Sequence, residues 1–244
     1  NNEIGLPLTL LRLNNRHKAA VVEMGMYQLG EIASLCRIAL PDVGVVTNVG
    51  LSHVERLGSI DAIAEAKSEL IRALPSTGLA ILNADDPRVA AMRDLAACRC
   101  VTFGMDPGAD VRAIDFRTRG LKGISCTLET AGQSRVIEST LTGRQSVHAL
   151  LAAASVGLHV GLDFDLVARR LGSMRQRTRL LVLRGQSGCT VIDDTYNASP
   201  ASMSASLELL CGLKGRRVAV LGDMLELGAY EVSSHEEIGD RVAA

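Results

Sequence analysis

Polar side chains that could bind a cation or a phosphate follow several short apolar runs of this sequence. Glu23 ends the first run, Asn48 the second and Asn83 the third, while His53 comes soon after Asn48 and Asp194 ends a later run at 191–194. In open α/β sheets, ligands bind outside the carboxyl ends of the strands. A carboxylate and an imidazole at that edge could hold a divalent cation, and Mg²⁺ takes one or two protein carboxylates together with phosphate oxygens and water.

Lys67 is a further candidate, because it falls on the apolar face of a predicted helix. Ser59 is a suitable N-cap for this helix, and Pro75 and Gly78 end it, so the pattern predicts a helix over 59–74. Its apolar face consists of Ile60, Ile63, Ala64, Leu70, Ile71 and Leu74. A lysine on a buried face costs free energy unless a partner uses it.

Each candidate also has an ordinary structural explanation, which the sequence leaves open. Glu23 could be a solvated strand end, and His53 could be a loop histidine bonded to the backbone. Lys67 could extend from the edge of its helix into solvent. The stretch 83–86 could be a turn and an N-cap, and Asp194 could simply begin a loop. Their shared position at strand ends favours a binding site without identifying a reaction.

The elements that position these residues alternate between strands and helices, which predicts an α/β fold with a parallel sheet. Strands are predicted at 19–22, 43–48, 79–83 and 100–103, separated by helices at 31–40, 59–74 and 87–97. Short strands with glycine turns between 110 and 142 predict an antiparallel appendage, followed by helices at 146–161 and 163–172.

The alternation begins again after residue 180, which predicts a second domain from about that point. Its elements are a strand at 191–194, a helix at 200–211, a strand at 217–221 and a helix from 234. The sequence contains no G-x-x-x-x-G-K-[ST] phosphate loop and no G-x-G-x-x-G after a strand. Spacing alone therefore predicts a two-domain α/β protein with a cation or phosphate site.

The composition excludes several functional classes. Apolar residues make up 47% of the 244 residues and charged residues 22%, which excludes disorder. A net charge of -1 and 2% aromatic residues argue against nucleic-acid binding. The longest apolar stretch, 147–162, is shorter than the ~20 residues of a membrane span, so we expect no membrane insertion. Six cysteines without a C-x-x-C pair favour a reducing cytoplasm over a zinc site or disulfide scaffold.

Seven stretches of the sequence, taken together, resemble the Mur ligases, the ATP-dependent amide-forming enzymes of peptidoglycan synthesis. They are NNEIGLP (1–7), VEMG (22–25), TNVGLSHVE (47–55), a run from Gly58 to Glu69 that includes AKSE, NADD (83–86), IDDTYNASPASM (192–203) and LGDMLELG (221–228). The resemblance covers nearly the whole chain. It implies a parallel-sheet central ATPase domain over 1–179 and a partial Rossmann-like C-terminal domain over 180–244.

The last two motifs imply, within this family, a ligase that adds D-Ala-D-Ala to UDP-MurNAc-tripeptide. ATP would phosphorylate the tripeptide carboxylate, and the amine of D-Ala-D-Ala would attack the acyl phosphate. The resemblance also implies a cytoplasmic monomer with Mg²⁺ as a second cofactor. Because the family's UDP-sugar domain, phosphate loop and end of the last domain have no counterpart here, we expect a fragment that binds Mg-ATP poorly and is inactive alone.

The resemblance assigns roles to individual residues. Glu23 and His53 match magnesium ligands of the family, and Lys67 matches a lysine that becomes carbamylated and then binds the metal, so these three form the expected catalytic and metal set. The nucleotide is expected to contact a second set, comprising Asn83, Arg179, Asp194, Tyr196 and Asn197.

Two positions depart from the family pattern. The family has Gly-x-His-Asn-x-x-Asn before the helix that borders adenine, and this chain has Gln145, Ser146 and His148 in that region. Thr178 replaces the usual glycine before Arg179. Two alternatives remain beside the main hypothesis: another Mur-type ligase, such as an amino-acid adder or a folylpolyglutamate synthase, or a non-catalytic remnant of the fold.

Overall fold

A computed structural model describes residues 1–52, 54–174 and 180–243 of the protein. The chain divides into one unit of residues Asn1–Thr102 and another that begins at Phe103. Within the described ranges, no helix is both long enough and apolar enough to cross a membrane. The predicted domain boundary near residue 180 stays a prediction, and residues 175–179 lie outside the described chain.

In the first unit, parallel strands are connected through helices. Strands β1 (Val43–Val46) and β2 (Leu79–Asn83) pair in parallel, and β3 (Arg99–Gly104) lies beside β2. The helices are α1 (Gly5–Leu10), α2 (Glu31–Ala39), α3 (Val54–Leu57), α4 (Ile60–Arg72) and α5 (Pro87–Ala91). The predicted α/β fold with parallel pairing is confirmed, although the helix expected over 87–97 ends early and continues as a 3₁₀ turn, Met92–Leu95.

Helix α4 is the central element of the first unit, because it supplies side chains to two hydrophobic clusters. The Ser59 hydroxyl accepts a hydrogen bond from the Ala62 amide at 3.1 Å and caps the helix, as predicted. Ile63 and Ala66 are buried against Ile32 and Val54 of the neighbouring helices. The second cluster consists of Val46, Ile71, Leu74, Ala80, Leu82, Val89 and Met92.

The strand predicted at 19–22 is wrong. The structure places no strand there, and Val21 is 92% exposed. Two valines give this run a high strand propensity, but a strand also needs a partner that accepts and donates its backbone hydrogen bonds. No described strand pairs with residues 19–22, so the run lies as irregular chain before Glu23.

The second unit contains the antiparallel appendage that the sequence predicts. The end of β3 pairs in parallel with β4 (Val111–Thr118), and β5 (Ile124–Thr130) and β6 (Gln133–Ser139) follow in antiparallel order. Ala131 and Gly132 both have positive φ, which is the geometry of a two-residue hairpin turn. Helices α6 (Gln145–His159) and α7 (Phe164–Gly172) come next, close to their predicted bounds.

The C-terminal segment of the second unit begins with an antiparallel pair of strands. Strand β7 (Leu181–Arg184), which the sequence analysis did not predict, pairs with β8 (Thr190–Asp193), and helices α8 (Pro200–Cys211) and α9 (Glu231–Ala243) follow. The strand predicted at 217–221 is wrong for the same reason as that at 19–22. The run is irregular, no described strand pairs with it, and Val220 is 93% exposed.

The buried thiol of Cys36 predicts a loss of stability at alkaline pH. Burial, aided by the nearby Glu69 carboxylate, raises the pKa of Cys36 from 9.0 to about 11. The thiol therefore ionises at lower pH in the unfolded chain than in the folded protein. The contribution of the buried, protonated thiol to the free energy of unfolding is complete below pH 9 and is lost as the pH rises from about 9 to about 11. That difference in pKa corresponds to about 3 kcal/mol. Urea unfolding of wild type and Cys36→Ala at pH 8 and pH 11 measures it.

The matched control for this measurement is Cys189→Ala, because Cys189 is exposed. We expect the wild type and Cys189→Ala to lose more free energy of unfolding between the two pH values than Cys36→Ala does. Equal losses in all three proteins would contradict the assignment of this pH dependence to Cys36.

Candidate functional site

The predicted functional lysine lies beside the loop that follows β1. Lys67 Nζ donates to the carbonyl oxygen of Asn48 at 2.6 Å, and its side chain is half-buried. Burial lowers the pKa of Lys67, and the negative charge of Asp86 partly opposes this shift. The lysine is therefore not a fully solvated surface cation, and it forms no close ion pair with any residue that the structure describes.

Two side chains that follow β2 bind the same loop. Asn83 is buried at the end of β2, and its Nδ2 donates to the carbonyl oxygen of Thr47 at 2.8 Å. Asp86 Oδ2 accepts from the Val49 amide at 2.7 Å, while its Oδ1 accepts from the amides of Arg88 and Val89 and caps α5. The carboxyl ends of β1 and β2 are thus joined by side-chain to backbone hydrogen bonds.

The site expected to bind a metal is described only in part. Glu23 is exposed on irregular chain, and His53 lies outside the described residues. Over the described ranges, no three His, Cys, Asp or Glu side chains lie close enough to hold a metal ion. The carboxylate of Glu23 fits Mg²⁺, whereas Lys67 fits it only as a carbamate, since an ammonium group has no free lone pair.

Glu69 has a role that the sequence analysis did not identify. It lies two residues after Lys67 on α4, and its carboxylate accepts hydrogen bonds from the amides of Gly30, at 2.6 Å, and Ala33, at 2.9 Å. These amides belong to the N-terminal turn of α2, where no side chain of α2 caps the helix. Glu69 therefore caps one helix from another, and α4 connects α2 with the loop that follows β1.

In the second unit, the predicted nucleotide-contacting residues surround the turn between β8 and α8. Asp194 Oδ1 accepts from the Leu180 amide at 3.2 Å, and its Oδ2 accepts from the Ser206 hydroxyl at 2.7 Å. Tyr196 is 73% exposed, and Asn197 Oδ1 accepts from the next amide in the chain, at 2.9 Å.

The turn before α8 is ordered by local hydrogen bonds. Thr195 donates to Asp193 Oδ1 from both its amide and its hydroxyl, which lowers the pKa of Asp193. Ser199 and Ser202 form a capping box at the start of α8. Arg179, the remaining member of the predicted nucleotide set, lies outside the described residues.

The LGDMLELG motif is anchored by buried residues and by one histidine. Met224 and Leu227 are buried, and the Met224 amide donates to His235 Nε2 at 3.1 Å. An amide can only donate, so Nε2 carries no proton. The proton of the neutral ring is then on Nδ1, which lies 2.8 Å from the carbonyl oxygen of Glu231. This motif is held against α9.

The region that departs from the family pattern forms the N-terminal turn of α6. The Ser146 hydroxyl donates to the carbonyl oxygen of Thr142 at 2.7 Å, and the Arg144 guanidinium lies 5.6 Å from the centre of the Phe116 ring. Gly143 has a φ of +81°, a conformation that favours glycine. None of these described contacts identifies a ligand, and Thr178, the other departure, lies outside the described residues.

The structure thus brings some candidates together and leaves others apart. Lys67 and Asn83 meet at the 47–49 backbone, with Asp86 as a third member. No hydrogen bond among those described joins Glu23 to this group. The alternative that 83–86 forms a turn and an N-cap is confirmed, with Asp86 as the cap of α5. The bond that Asp86 accepts from the Val49 amide had no local signal, because the two residues are 37 positions apart.

Comparison with known proteins identifies the family. The sequence model of the Mur ligase middle domain matches residues 1–157, and that of the Mur ligase, glutamate ligase domain matches residues 178–244. A UDP-N-acetylmuramoyl-tripeptide--D-alanyl-D-alanine ligase of Mycobacterium tuberculosis is 39% identical over 98% of this chain and 48% of its own length. The chain spans about half the length of the curated relatives it matches.

Two solved structures have the same fold. The crystal structure of MurF from Acinetobacter baumannii matches 100% of this chain and 54% of that protein, with a TM-score of 0.93 and 31% identity. MurF from Thermotoga maritima, crystallised in complex with ADP, matches 99% of this chain and 56% of that protein, with a TM-score of 0.86 and 32% identity. With a family model over more than half of its length, the chain belongs to the Mur ligase family.

Proposed function

We propose that this chain belongs to an ATP-dependent ligase that adds D-Ala-D-Ala to UDP-MurNAc-tripeptide in the cytoplasm. The observation that carries the proposal is the similarity to ligases of this name, at 34–39% identity over 98–100% of the chain in relatives from Mycobacterium tuberculosis, Bacillus subtilis and Escherichia coli. The two motifs at 192–203 and 221–228, on which the sequence resemblance to this type of ligase rests, also support it.

The proposed reaction has two steps. The γ-phosphoryl group of ATP moves to an oxygen of the terminal carboxylate of the tripeptide, which gives ADP and an acyl phosphate. The amine of D-Ala-D-Ala then attacks the carbonyl carbon, loses a proton, and the tetrahedral intermediate collapses with cleavage of the carbon–oxygen bond to phosphate. The first step brings two anions together, so positive charge at the site is required.

Glu23, His53 and Lys67 would hold Mg²⁺, which would neutralise charge on the phosphates when bound. Lys67 would act as a carbamate, formed when its neutral amine attacks CO₂ and loses a proton. A lowered pKa increases the neutral fraction of the amine at a given pH, and the observed burial acts in that direction. The carbonyl oxygen of Asn48, which now accepts from Nζ, would accept the carbamate N–H.

Arg179, Asp194, Tyr196 and Asn197 are proposed to contact the nucleotide. For Asn83, the fifth residue of the predicted nucleotide-contacting set, we propose a supporting role instead of a direct contact. Its amide nitrogen is bonded to Thr47, and its Oδ1 accepts from the Asp85 amide at 2.9 Å. Its side chain therefore supports the loop that follows β1, and its effect on the nucleotide would be indirect.

The test of this function is ADP release by the chain expressed together with whatever segments flank it in its gene. We expect release that requires both UDP-MurNAc-tripeptide and D-Ala-D-Ala, with L-Ala-L-Ala as the matched control that gives none. Release that depends instead on a single amino acid would assign another Mur-type ligase. No release under any of these conditions would favour a non-catalytic remnant, and either result would overturn the proposal.

A further inference from the structure

Three consecutive residues after β1 are each held by a different side chain. The carbonyl oxygen of Thr47 accepts from Asn83, the carbonyl oxygen of Asn48 accepts from Lys67, and the amide of Val49 donates to Asp86. The distances are 2.8, 2.6 and 2.7 Å. We call residues 47–49 the β1 loop. Three of its backbone polar groups, one on each residue, are thus bonded to side chains.

Asp86 differs from an ordinary helix cap, because its two oxygens have separate partners. Oδ1 accepts from the first amides of α5 at 3.0 and 3.2 Å, which is the normal role of an N-cap aspartate. Oδ2 accepts from the Val49 amide of the β1 loop. A cap alone needs one oxygen, and α5 is only five residues long, so capping does not account for the second bond.

The β1 loop connects two members of the expected catalytic set. It supplies the carbonyl oxygen that Lys67 contacts, and four residues beyond Val49 the chain reaches His53. A shift of the Val49 amide would therefore move the hydrogen-bond partner of Lys67 and the start of the segment that carries His53.

We propose that Asp86 is a positioning residue, which fixes the β1 loop through its bond to the Val49 amide and thereby orients Lys67, with Asn83 as the second support of the same loop. The structural part of this inference stands on the hydrogen bonds of the first unit alone. Its catalytic part rests on the proposed ligase function.

Two substitutions separate the cap from the loop contact. Asp86→Ser keeps an N-cap oxygen but is too short to reach Val49. Asp86→Asn keeps a capping side chain, yet either α5 or the Val49 amide must then face an NH₂ group, which cannot accept. The matched control is Asp94→Asn, which removes the same charge from an exposed residue of the first unit.

The first measurement is amide hydrogen exchange of the full chain. We expect exchange at Val49 to accelerate at least about tenfold in Asp86→Ser, because a hydrogen bond to a carboxylate is lost, while exchange in α5 changes little. Asp94→Asn should exchange as the wild type does. Unchanged exchange at Val49 in both Asp86 variants would overturn the inference, whatever the activity of the protein.

The second measurement is ADP release by the chain with its flanking segments. Partners that orient metal ligands typically affect activity by about 10- to 100-fold. We expect kcat to fall by that factor in both Asp86 variants and KM for D-Ala-D-Ala to stay nearly constant, with Asp94→Asn unaffected. Wild-type kcat in Asp86→Ser would refute the catalytic part. An inactive wild type would instead refute the proposed function, and the exchange measurement would still decide the structural part.

Discussion

Lys67→Met should reduce D-Ala-D-Ala-dependent ADP release by about 100- to 1000-fold, the loss typical of removing one group that stabilises charge in a transition state. Methionine has a similar length and no charge, so it retains the packing of α4 while removing both the amine and any carbamate. Lys67→Arg should be equally inactive, because it keeps the positive charge but does not provide the amine that forms a carbamate. The measurement is kcat, with circular dichroism to confirm that both variants fold.

The environment of Lys67 is the physical reason for this expectation. A lysine that merely extended into solvent would keep its ordinary pKa and would tolerate methionine. Lys67 is half-buried, its pKa is lowered by burial, and its Nζ contacts a backbone carbonyl oxygen at 2.6 Å. Such a site favours the neutral amine more than solvent does, and the neutral amine is the form that reacts with CO₂.

Two controls distinguish a catalytic lysine from a structural one. Lys122→Met changes an exposed lysine of the second unit and should retain full activity. Lys67→Ala leaves a space in which added acetate could replace the missing carboxylate, so acetate should restore part of its activity and none of that of Lys67→Met. A loss below about tenfold in Lys67→Met would contradict the proposed role.

Local sequence signals predicted those helices and strands that have an apolar run together with a residue that marks where the element begins or ends. The helix from Pro200 to Cys211 agrees with the structure at both ends, since Ser199 and Pro200 define its start. Strand β2 also agrees at both ends, because its short apolar run begins after Gly78 and ends at the polar Asn83. Lys67 was identifiable for a related reason: one charged residue interrupts the buried stripe of α4.

Contacts between residues distant in sequence could not be predicted in this way. The runs 19–22 and 217–221 have strand propensity, but pairing decides whether a strand forms, and propensity contains no information about a partner. The same limit applies to the site. A turn and N-cap at 83–86 was one open explanation of the sequence, but the bond between Asp86 and the Val49 amide spans 37 positions and that between Glu69 and the Gly30 amide spans 39.

Glu69→Ala should lower the free energy of unfolding by about 2 kcal/mol, because it removes a charged acceptor from two backbone amides. The amides of Gly30 and Ala33 lie at the N-terminus of α2, where the helix dipole also favours a negative charge. Glu69→Gln keeps one acceptor oxygen and should lose about half as much. Urea unfolding at neutral pH measures both values.

Glu65→Ala is the matched control, because it changes the same residue type on the same helix. Glu65 pairs with Arg72, but both side chains are substantially exposed, and exposed ion pairs contribute about 0–1 kcal/mol. Equal destabilisation by Glu69→Ala and Glu65→Ala would contradict the capping role.

Glu69→Gln should also bring the pKa of Cys36 down from about 11, since the Glu69 charge is one of the two causes of the raised pKa. We therefore expect the Cys36 thiol to react faster at pH 9 in Glu69→Gln than in the wild type, and an unchanged rate would contradict this effect of the Glu69 charge.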